Sequence, residues 1–256
     1  MTDFVDVSEL AGDRVSAEQV ERLCHRYYWA GEHCRGRDVL EAAIGSGAGL
    51  GYLAGIARSL RGGDFSAPIL ERVRRHYGDR IALERFDAQA MPFEDASFDV
   101  VILFEALYFL PSAERFADEC RRVLRPGGEV LVATANPDLY DFNPAPHASR
   151  YLGVPGLADL FDRRGFEARI YGHLRADGAS ARQRLLRPVK KAAVAMNLMP
   201  RTMAGKALLK RIVFGRMLEM PAEIAPGMAR YAPPVALAAD APDRTHKVLY
   251  CRASIS

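Results

Sequence analysis

The sequence predicts an α/β protein built on a doubly wound, mostly parallel sheet of seven strands, with a helical insertion before the last strand. Three observations support this fold class. Strand-like and helix-like segments alternate along residues 38–171, the strand-like segments are short apolar runs, and a glycine-rich turn follows the first of them. Alternation of this kind is typical of parallel sheets with helices on both faces, whose strands are buried on both sides.

Each element has its own local signal. Mostly apolar runs predict the strands, at residues 38–44, 60–65, 80–86, 98–104, 129–135, 166–171 and 246–252. Helical periodicity predicts the intervening helices, at residues 50–60, 66–76, 113–124 and 157–164. Ser66 and Pro68 are typical of a helix start, and Pro126 with Gly127 and Gly128 is typical of a helix end.

Two further regions flank or interrupt this core. Residues 1–37 are helical and aromatic in character and predict an N-terminal helical lid. Residues 173–245 break the alternation, but apolar residues recur there at helical spacing, so we predict a basic, mainly helical cap. The core domain then comprises residues 38–172 and 246–256.

Composition limits the classes of protein to consider. With 49% hydrophobic and 26% charged residues, the chain is globular rather than disordered or collagen-like. The four cysteines form no C-x-x-C pair, which indicates neither a zinc site nor a disulfide framework and favours a cytoplasmic protein. No apolar run approaches the ~18 residues of a membrane span, and the acidic N-terminus lacks the basic start of a secretory signal.

Positive charge is concentrated in one segment. Residues 178–218 carry ten Lys or Arg and no acidic residue, so the net charge of +3 combines a basic segment with a mildly acidic body. The segment predicts either a solvated cap or a surface that contacts an anionic membrane. We expect no nucleic-acid partner, because no known RNA-binding module accompanies the basic residues.

The glycine-rich turn is the main ligand-binding signal. Residues 45–51 follow the first strand, where a backbone without side chains can approach a ligand closely. The acids at three successive strand ends, Glu41, Asp64 and Asp87, favour a cofactor with hydroxyl, amine and cationic groups over a pyrophosphate. A G-x-G-x-x-A pattern from Gly49 to Ala54 matches a dinucleotide motif, but it begins too far into the predicted helix to form the phosphate turn.

Four motifs occur in a recognisable order. They are a glycine-rich first motif at residues 39–47, an acidic turn at 63–66, an acid-led segment at 87–99 and a fifth-strand motif at 121–132. Together they resemble class I S-adenosylmethionine-dependent methyltransferases, of the small-molecule branch that includes ubiquinone and menaquinone methyltransferases. The resemblance implies a Rossmann-like fold, S-adenosylmethionine as cofactor and methyl transfer as the reaction.

The same resemblance implies roles for individual residues. The methionine part of the cofactor would be held by Glu41 and by the backbone of Ala43, Gly45, Ser46 and Gly47. Asp64 would accept hydrogen bonds from the ribose hydroxyls. The adenine would lie near Phe65, Asp87 and Ala88, and Phe104 would line the boundary between cofactor and substrate. The family commonly has glycine where this chain has Ala43, so we expect binding to persist with less backbone freedom.

The catalytic base is less well indicated. His147 is the candidate, because it lies in a loop after the fifth strand, where loops face the ligand crevice. His25 and His33 are alternatives near the aromatic N-terminal cluster. Asp138 and Asp141 precede His147, but their spacing matches no known ligand set, so we predict no metal site.

Four further residues are candidates for the substrate side or the lid: Tyr28, Trp29, Glu105 and Tyr151. Aromatic rings such as Tyr28 and Trp29 can contact a cationic sulfonium, but they can equally pack a helix onto the core.

We predict an O-methyltransferase of a small molecule or saccharide, including anionic or lipid-linked acceptors. It would be cytoplasmic, and residues 178–218 could bring it to the inner face of the membrane. Two alternatives stay open: a catalytically silent binding protein with the same fold, and an NAD-dependent oxidoreductase that uses the Gly49–Ala54 pattern.

Overall fold

A mixed sheet of eight strands lies at the centre of the protein, in a computed structural model that describes residues 10–176 and 217–255. The strands are β1 (Arg14–Ser16), β2 (Asp38–Ala42), β3 (Ser59–Asp64), β4 (Ala82–Arg85), β5 (Phe98–Phe104), β6 (Leu124–Ala135), β7 (Phe166–Arg175), β8 (Met217–Glu219), β9 (Val235–Leu237) and β10 (His246–Ile255). The helices are α1 (Ala17–Cys34), α2 (Leu50–Ala54), α3 (Ala67–Tyr77), α4 (Ala113–Val123) and α5 (Val154–Asp162).

The strand order in this sheet is β4-β3-β2-β5-β6-β10-β7-β9. The first five strands in this order, from β4 through β3, β2 and β5 to β6, are parallel. Strand β10 runs antiparallel between β6 and β7, and β9 pairs antiparallel with β7. The carboxyl ends of β2, β3, β4, β5 and β6 therefore meet at one edge of the sheet, which we call the carboxyl edge, and their starts meet at the amino edge. Strands β1 and β8 form a separate two-stranded ribbon.

The central strand β5 shows why the sheet is covered on both faces. Successive residues from Val100 to Leu103 are all fully buried. Val101 and Leu103 pack in the core on the side of α4 and α5, whereas Val100 and Ile102 pack in the core on the side of α1. Alternation of side chains across a strand thus places apolar residues against helices on both faces, as a doubly wound sheet requires.

The predicted α/β class and the mostly parallel sheet are confirmed, with three differences in detail. The sheet has eight strands rather than seven, because Val235–Leu237 adds to the open edge of β7. The helix predicted over residues 50–60 ends at Ala54, because Ser59 and Leu60 pair with the start of β2. Within 173–245, the described residues form strands and loops, and the helices predicted between 177 and 216 lie outside the described part of the chain.

Helix α1 packs onto the sheet as part of the core. Ser16 begins it with a capping box, in which its hydroxyl accepts from the backbone N–H of Gln19 and the Gln19 side chain accepts from the Ser16 N–H. Further along the helix, the Trp29 ring stacks on Tyr250 of β10 at 4.8 Å between centroids. Among the described residues, no helix is long and apolar enough to cross a membrane.

Candidate active site

A cavity of about 820 Å³ opens at the carboxyl edge of the sheet. Its inner end is formed by loops that follow β2, β3 and β4, and its outer end by α1 and the loops after β5 and β6. Ten residues predicted for the site line it: Ala43, Gly45, Ser46, Asp64, Phe65, Asp87, Ala88, Phe104, Glu105 and Tyr151. The topology of a parallel sheet brings these residues together although they span more than a hundred positions of sequence.

The loop after β2 exposes its backbone to the cavity. Gly45 has a φ of +54°, and a Cβ added there would meet no atom within 4 Å, so this glycine borders open space. Ala43 has a φ of +56°, a left-handed conformation that an L-residue with a Cβ adopts at some cost. The left-handed backbone at Ala43 is thus a conformation that glycine would adopt more easily, in line with the predicted loss of backbone freedom.

Asp64 lies at the end of β3 with its carboxylate in the cavity wall. Its Oδ2 accepts from the backbone N–H of Gly45 at 3.1 Å, and its Oδ1 accepts from the N–H of Ser66 at 2.9 Å. The residue is only 7% exposed, and this burial raises the pKa of Asp64 despite the backbone N–H donors, which lower it. Since a carboxylate offers about four acceptor positions, it can accept further hydrogen bonds from a ligand.

Asp87 follows β4 and is held by the residue two positions later. Its carboxylate accepts from both the backbone N–H and the side-chain amide of Gln89, at 2.9 and 3.1 Å. The Gln89 carbonyl in turn accepts from the N–H of Ser112, at the start of α4. The cavity therefore presents two carboxylates, each fixed by its own turn, with Phe65 and Phe86 also in the lining.

Glu41 is not among the cavity-lining residues. It is 1% exposed, and its Oε1 accepts a 2.5 Å hydrogen bond from the hydroxyl of Tyr27 on α1. Burial raises the pKa of Glu41 to about 7, and its Oε2 is buried without a hydrogen-bond partner among the described residues. Tyr27, its hydrogen-bond donor, does line the cavity.

Glu105 begins the outer end of the cavity. It follows β5 directly and has a φ of +52°, a strained conformation for a residue with a side chain. Its Oε1 lies 3.3 Å from Arg22 Nη2 and 3.7 Å from Arg26 Nη1, and its Oε2 accepts from the Tyr108 hydroxyl at 3.3 Å. All four side chains line the cavity.

Aromatic residues form much of the remaining outer wall. The ring of Tyr151 stacks on that of Tyr108 at 4.3 Å between centroids, and Phe142 packs against its edge. The Tyr151 hydroxyl accepts from the N–H of Ala145, which fixes the loop after β6. Leu23, Phe109 and Leu110 extend this apolar surface.

Four other predicted residues lie away from the cavity. Tyr28 donates to the carbonyl of Ala225, and Trp29 packs on Tyr250, so both rings are used in packing α1. Gly47 faces α3, where an added Cβ would come within 2.7 Å of Val73. His147 is exposed and has a φ of +64°; its neighbours Asn143 to Pro146 line the cavity, but His147 does not.

The lining residues that sequence reasoning missed include one face of α1, besides residues of the loops after β5 and β6. Gln19, Arg22, Leu23, Arg26 and Tyr27 line the cavity, and their spacing is that of one helical face. That periodicity is visible in the sequence. It does not reveal which face of the helix turns toward a cavity, because that depends on how α1 packs against the sheet.

The dinucleotide pattern does not lie at the cavity. Gly49, Gly51 and Ala54 are absent from its lining. A Cβ on Gly49 would come within about 2.0 Å of the Tyr27 ring, and one on Gly51 would meet Glu223. These glycines therefore allow close packing of α1 and of the 223 loop, and the pattern has a structural explanation. Within residues 10–176 and 217–255, no group of three or more His, Cys, Asp or Glu is arranged to hold a metal ion.

Comparison with known proteins identifies the core of the chain. Residues 40–132 match the methyltransferase domain family. A probable S-adenosylmethionine-dependent methyltransferase of Mycolicibacterium smegmatis is 37% identical over 153 residues, which cover 57% of this chain and 56% of that relative. A phthiotriol/phenolphthiotriol dimycocerosates methyltransferase of Mycobacterium ulcerans is 40% identical over 108 residues, covering 40% and 39% of the two chains. The chain thus spans about half the length, or less, of these curated relatives.

The fold is shared more widely than the sequence. A solved S-adenosylmethionine-dependent methyltransferase from Thermotoga maritima superimposes with a TM-score of 0.59 over 93% of this chain and 92% of its own, at 14% identity. At that identity the likeness concerns the fold alone.

The cavity fits S-adenosylmethionine on its own geometry. Gly45 leaves room that a side chain would fill, and Asp64 keeps acceptor capacity for hydroxyl groups. Carboxylates at the inner end match a ligand with hydroxyls, an amine and positive charge. Residues 40–132 therefore form the core of a class I S-adenosylmethionine-dependent methyltransferase domain.

Proposed function

We propose that the protein transfers a methyl group from S-adenosylmethionine to an oxygen of a small, partly apolar acceptor. The observation that carries this proposal is the continuity of the cavity. Its inner end presents Gly45, Asp64 and Asp87, and its outer end presents Glu105 and Tyr108 beside aromatic side chains. One space of about 820 Å³ therefore offers a polar cofactor half and a separate acceptor half.

When bound, the cofactor supplies a methyl group on a sulfonium, an electrophile that needs no further activation. The residues of the chain bind and orient. Asp64 accepts from the ribose hydroxyls, Asp87 accepts from the adenine amine near Ala88, and Phe65 packs beside the ring. The backbone of residues 43–46 contacts the methionine part, while Phe104 separates the two halves of the cavity.

Alignment of the acceptor is the main contribution that the outer end can make to the rate. An in-line displacement needs the reacting atoms within ~3–3.5 Å and water excluded. The stacked rings of Tyr108 and Tyr151 provide an apolar wall for that purpose. Glu105 is the carboxylate that follows Phe104 directly, and it can take the proton of an acceptor hydroxyl. Tyr108 donates its own hydroxyl to Glu105, and burial raises the pKa of Tyr108, so it is a hydrogen-bond donor rather than a base. Because His147 lies outside the cavity lining, we do not assign this role to it.

The acceptor class follows from the outer wall and from the relatives. Aromatic and aliphatic side chains dominate there, which favours a lipid-like or lipid-linked acceptor over a free saccharide. The named phthiotriol/phenolphthiotriol dimycocerosates methyltransferases among the relatives support the same class. Membership of the ubiquinone and menaquinone branch, a saccharide acceptor and O- rather than C-methylation stay predictions.

Contact with an anionic membrane through residues 178–218 is part of the proposal and rests on the sequence, since nearly all of that segment lies outside the described residues. Three or four basic groups near an anionic surface contribute about 1 kcal/mol each. We expect the protein to bind anionic vesicles at low salt and to leave them as salt rises. Equal retention on neutral vesicles would contradict membrane contact.

Thermal unfolding with and without ligand tests the cofactor. S-adenosylhomocysteine at about 100 times its dissociation constant stabilises a protein by ~2.7 kcal/mol, whereas NAD should have no effect. Stabilisation by NAD alone would indicate the oxidoreductase. Binding of S-adenosylhomocysteine without methyl transfer to any of a set of phenolic and lipid-linked acceptors would favour the silent binding protein.

A further inference from the structure

The strongest unassigned feature is a pair of arginines on the cavity side of α1. Arg22 and Arg26 are four residues apart, share one helical face and both line the outer end of the cavity. Their side chains are 26% and 13% exposed. Two half-buried guanidinium groups beside one cavity create a positive potential that a ligand can use.

Glu105 contacts both guanidinium groups, but loosely. It approaches Arg22 at 3.3 Å and Arg26 at 3.7 Å, both longer than the 2.7–2.9 Å typical of charge-assisted hydrogen bonds. A single carboxylate thus lies between two guanidinium groups at this end of the cavity. The other carboxylates in the lining, Asp64 and Asp87, lie at the inner end with partners of their own.

Arg22 also has a donor to spare. Its Nε is buried and has no hydrogen-bond partner among the described residues. A buried donor without a partner is unfavourable, and a guanidinium offers five donors in a planar fork that matches a carboxylate or phosphate. The strained backbone of Glu105, at φ +52°, fits a site whose arrangement is maintained for ligand binding rather than for stability.

From these contacts we propose that Arg22 and Arg26 form an anion subsite that binds a carboxylate or phosphate group in the outer half of the cavity. The proposal rests on the proposed function and adds that one of its two ligands carries an acidic group bound by these arginines. The anion has two sources: an acidic group of the methyl acceptor, or the carboxylate on the amino-acid part of the cofactor. In the first case the acceptor is an acidic amphiphile, whose apolar part contacts Tyr108 and Tyr151.

Two pairs of probes separate the sources by calorimetry. S-adenosylhomocysteine is compared with 5′-methylthioadenosine, which lacks the amino-acid part. On protein saturated with S-adenosylhomocysteine, 4-phenylbutyrate is compared with its neutral amide. Each ratio is measured for the wild type, for the double variant Arg22→Met/Arg26→Met, and for Arg22→Lys/Arg26→Lys, which keeps the charge and guards against a failure of the Met variant to fold. Arg163→Met, at an exposed residue that directly follows α5 and does not line the cavity, is the matched control.

In one of the two pairs, we expect the preference for the charged probe to fall about tenfold or more in the double Met variant. The Lys variant should retain part of that preference, and Arg163→Met should retain all of it. The affected pair identifies the source of the anion. Two results would overturn the subsite. The first is that both ratios are the same in the variants as in the wild type. The second is that the wild type binds neither member of the phenylbutyrate pair at millimolar concentration, while the ratio of S-adenosylhomocysteine to 5′-methylthioadenosine affinity is unchanged in the variants.

A failure of the proposed function gives a different result. The wild type would then not bind S-adenosylhomocysteine at all, and the phenylbutyrate pair, measured on protein without it, would still report whether Arg22 and Arg26 bind an anion.

Discussion

The amino edge and the carboxyl edge of the sheet both carry carboxylates, but the partners of those carboxylates differ. At the amino edge, Asp38 accepts from Arg58, Ser59 and Arg125, and Asp99 accepts from Arg58, Arg125 and the Asp38 N–H. At the carboxyl edge, Asp64 accepts from backbone N–H groups and has no cationic partner among the described contacts.

The pKa values differ in the same sense. Hydrogen bonds from Arg58 and Ser59 hold the pKa of Asp38 well below its usual range. For Glu129, also toward the amino edge, burial acts in the opposite direction, but His33 and Arg252 outweigh it and lower its pKa to about 2. At the carboxyl edge, burial raises the pKa of Asp64 and that of Glu41. The comparison teaches that Asp38, Asp99 and Glu129 toward the amino edge are held by cationic side chains, whereas Asp64 at the carboxyl edge is held by backbone N–H groups and stays available for a ligand.

The largest expected effect comes from filling the space beside Gly45. Gly45→Val places a β-branched side chain in open cavity at a φ of +54°, so we expect a folded protein that binds no detectable S-adenosylhomocysteine in calorimetry. Gly36→Val is the matched control, because Gly36 also has a positive φ, +68°, and open space around its Cβ position, but precedes β2 at the amino edge. It should lose similar stability and keep binding. Normal binding of S-adenosylhomocysteine by Gly45→Val would mean that the loop after β2 connects two elements and does not contact the cofactor.

The second prediction concerns opposite effects of pH at the two edges. Glu41 has a raised pKa of about 7 against 4.5, so its contribution to stability falls as pH rises from about 4.5 to 7. Glu129 has a lowered pKa of about 2, so its contribution is present above about 4.5 and is lost as pH falls toward 2. At about 1.4 kcal/mol per pKa unit, each contribution reaches at most ~3 kcal/mol.

Urea unfolding of Glu41→Gln and Glu129→Gln across pH 3–8 measures these contributions as the difference from wild type. Glu41→Gln should gain stability relative to wild type between pH 5 and 8, and Glu129→Gln should approach wild type below pH 4. Burial also lowers the pKa of His25 and His173, which removes stability below about pH 6.5, but this effect is common to all three proteins and cancels. Differences of the same sign for both variants would contradict the contrast between the edges.

The smallest expected effect is at Ala43. Replacing an L-residue at a φ of +56° with glycine should stabilise the fold by about 1 kcal/mol, which corresponds to a rise of a few degrees in Tm. Ala96→Gly, at φ +52° before β5 near the amino edge, should give the same gain in the same melting measurement. A gain at Ala96 but not at Ala43 would mean that the loop after β2 is not strained.

Most of the inner half of the site could be predicted from the sequence. Each of its acids ends a strand, and parallel topology brings strand ends together whatever the details of packing. Strand β5 could be predicted for a similar reason, since its residues are apolar on both faces. Strand β9, with three residues beside a proline-rich stretch, is too short to give a periodic signal.

Most residues of the outer half of the site could not be predicted, because their positions depend on how helix α1 and the loops pack against the sheet. Trp29 attracted a functional interpretation because it is aromatic, but its ring packs on Tyr250 in the core. Arg22 and Arg26 were missed because a charged pair on a helix more often faces solvent, and only the docking of α1 turns them toward the cavity. His147 shares a loop with cavity-lining residues, yet its own side chain is exposed.

Calorimetric titration of S-adenosylhomocysteine into Asp64→Asn and Asp99→Asn tests the central claim most directly. Both changes remove one negative charge and keep the shape of the side chain, one at each edge of the sheet. Asp64→Asn should lower affinity by about two orders of magnitude or more, because two charge-assisted hydrogen bonds to ribose, each worth ~1.5–3 kcal/mol, are weakened, whereas Asp99→Asn should lower stability and leave affinity unchanged. Equal affinity of both variants and wild type would contradict the assignment of the carboxyl edge as the cofactor site.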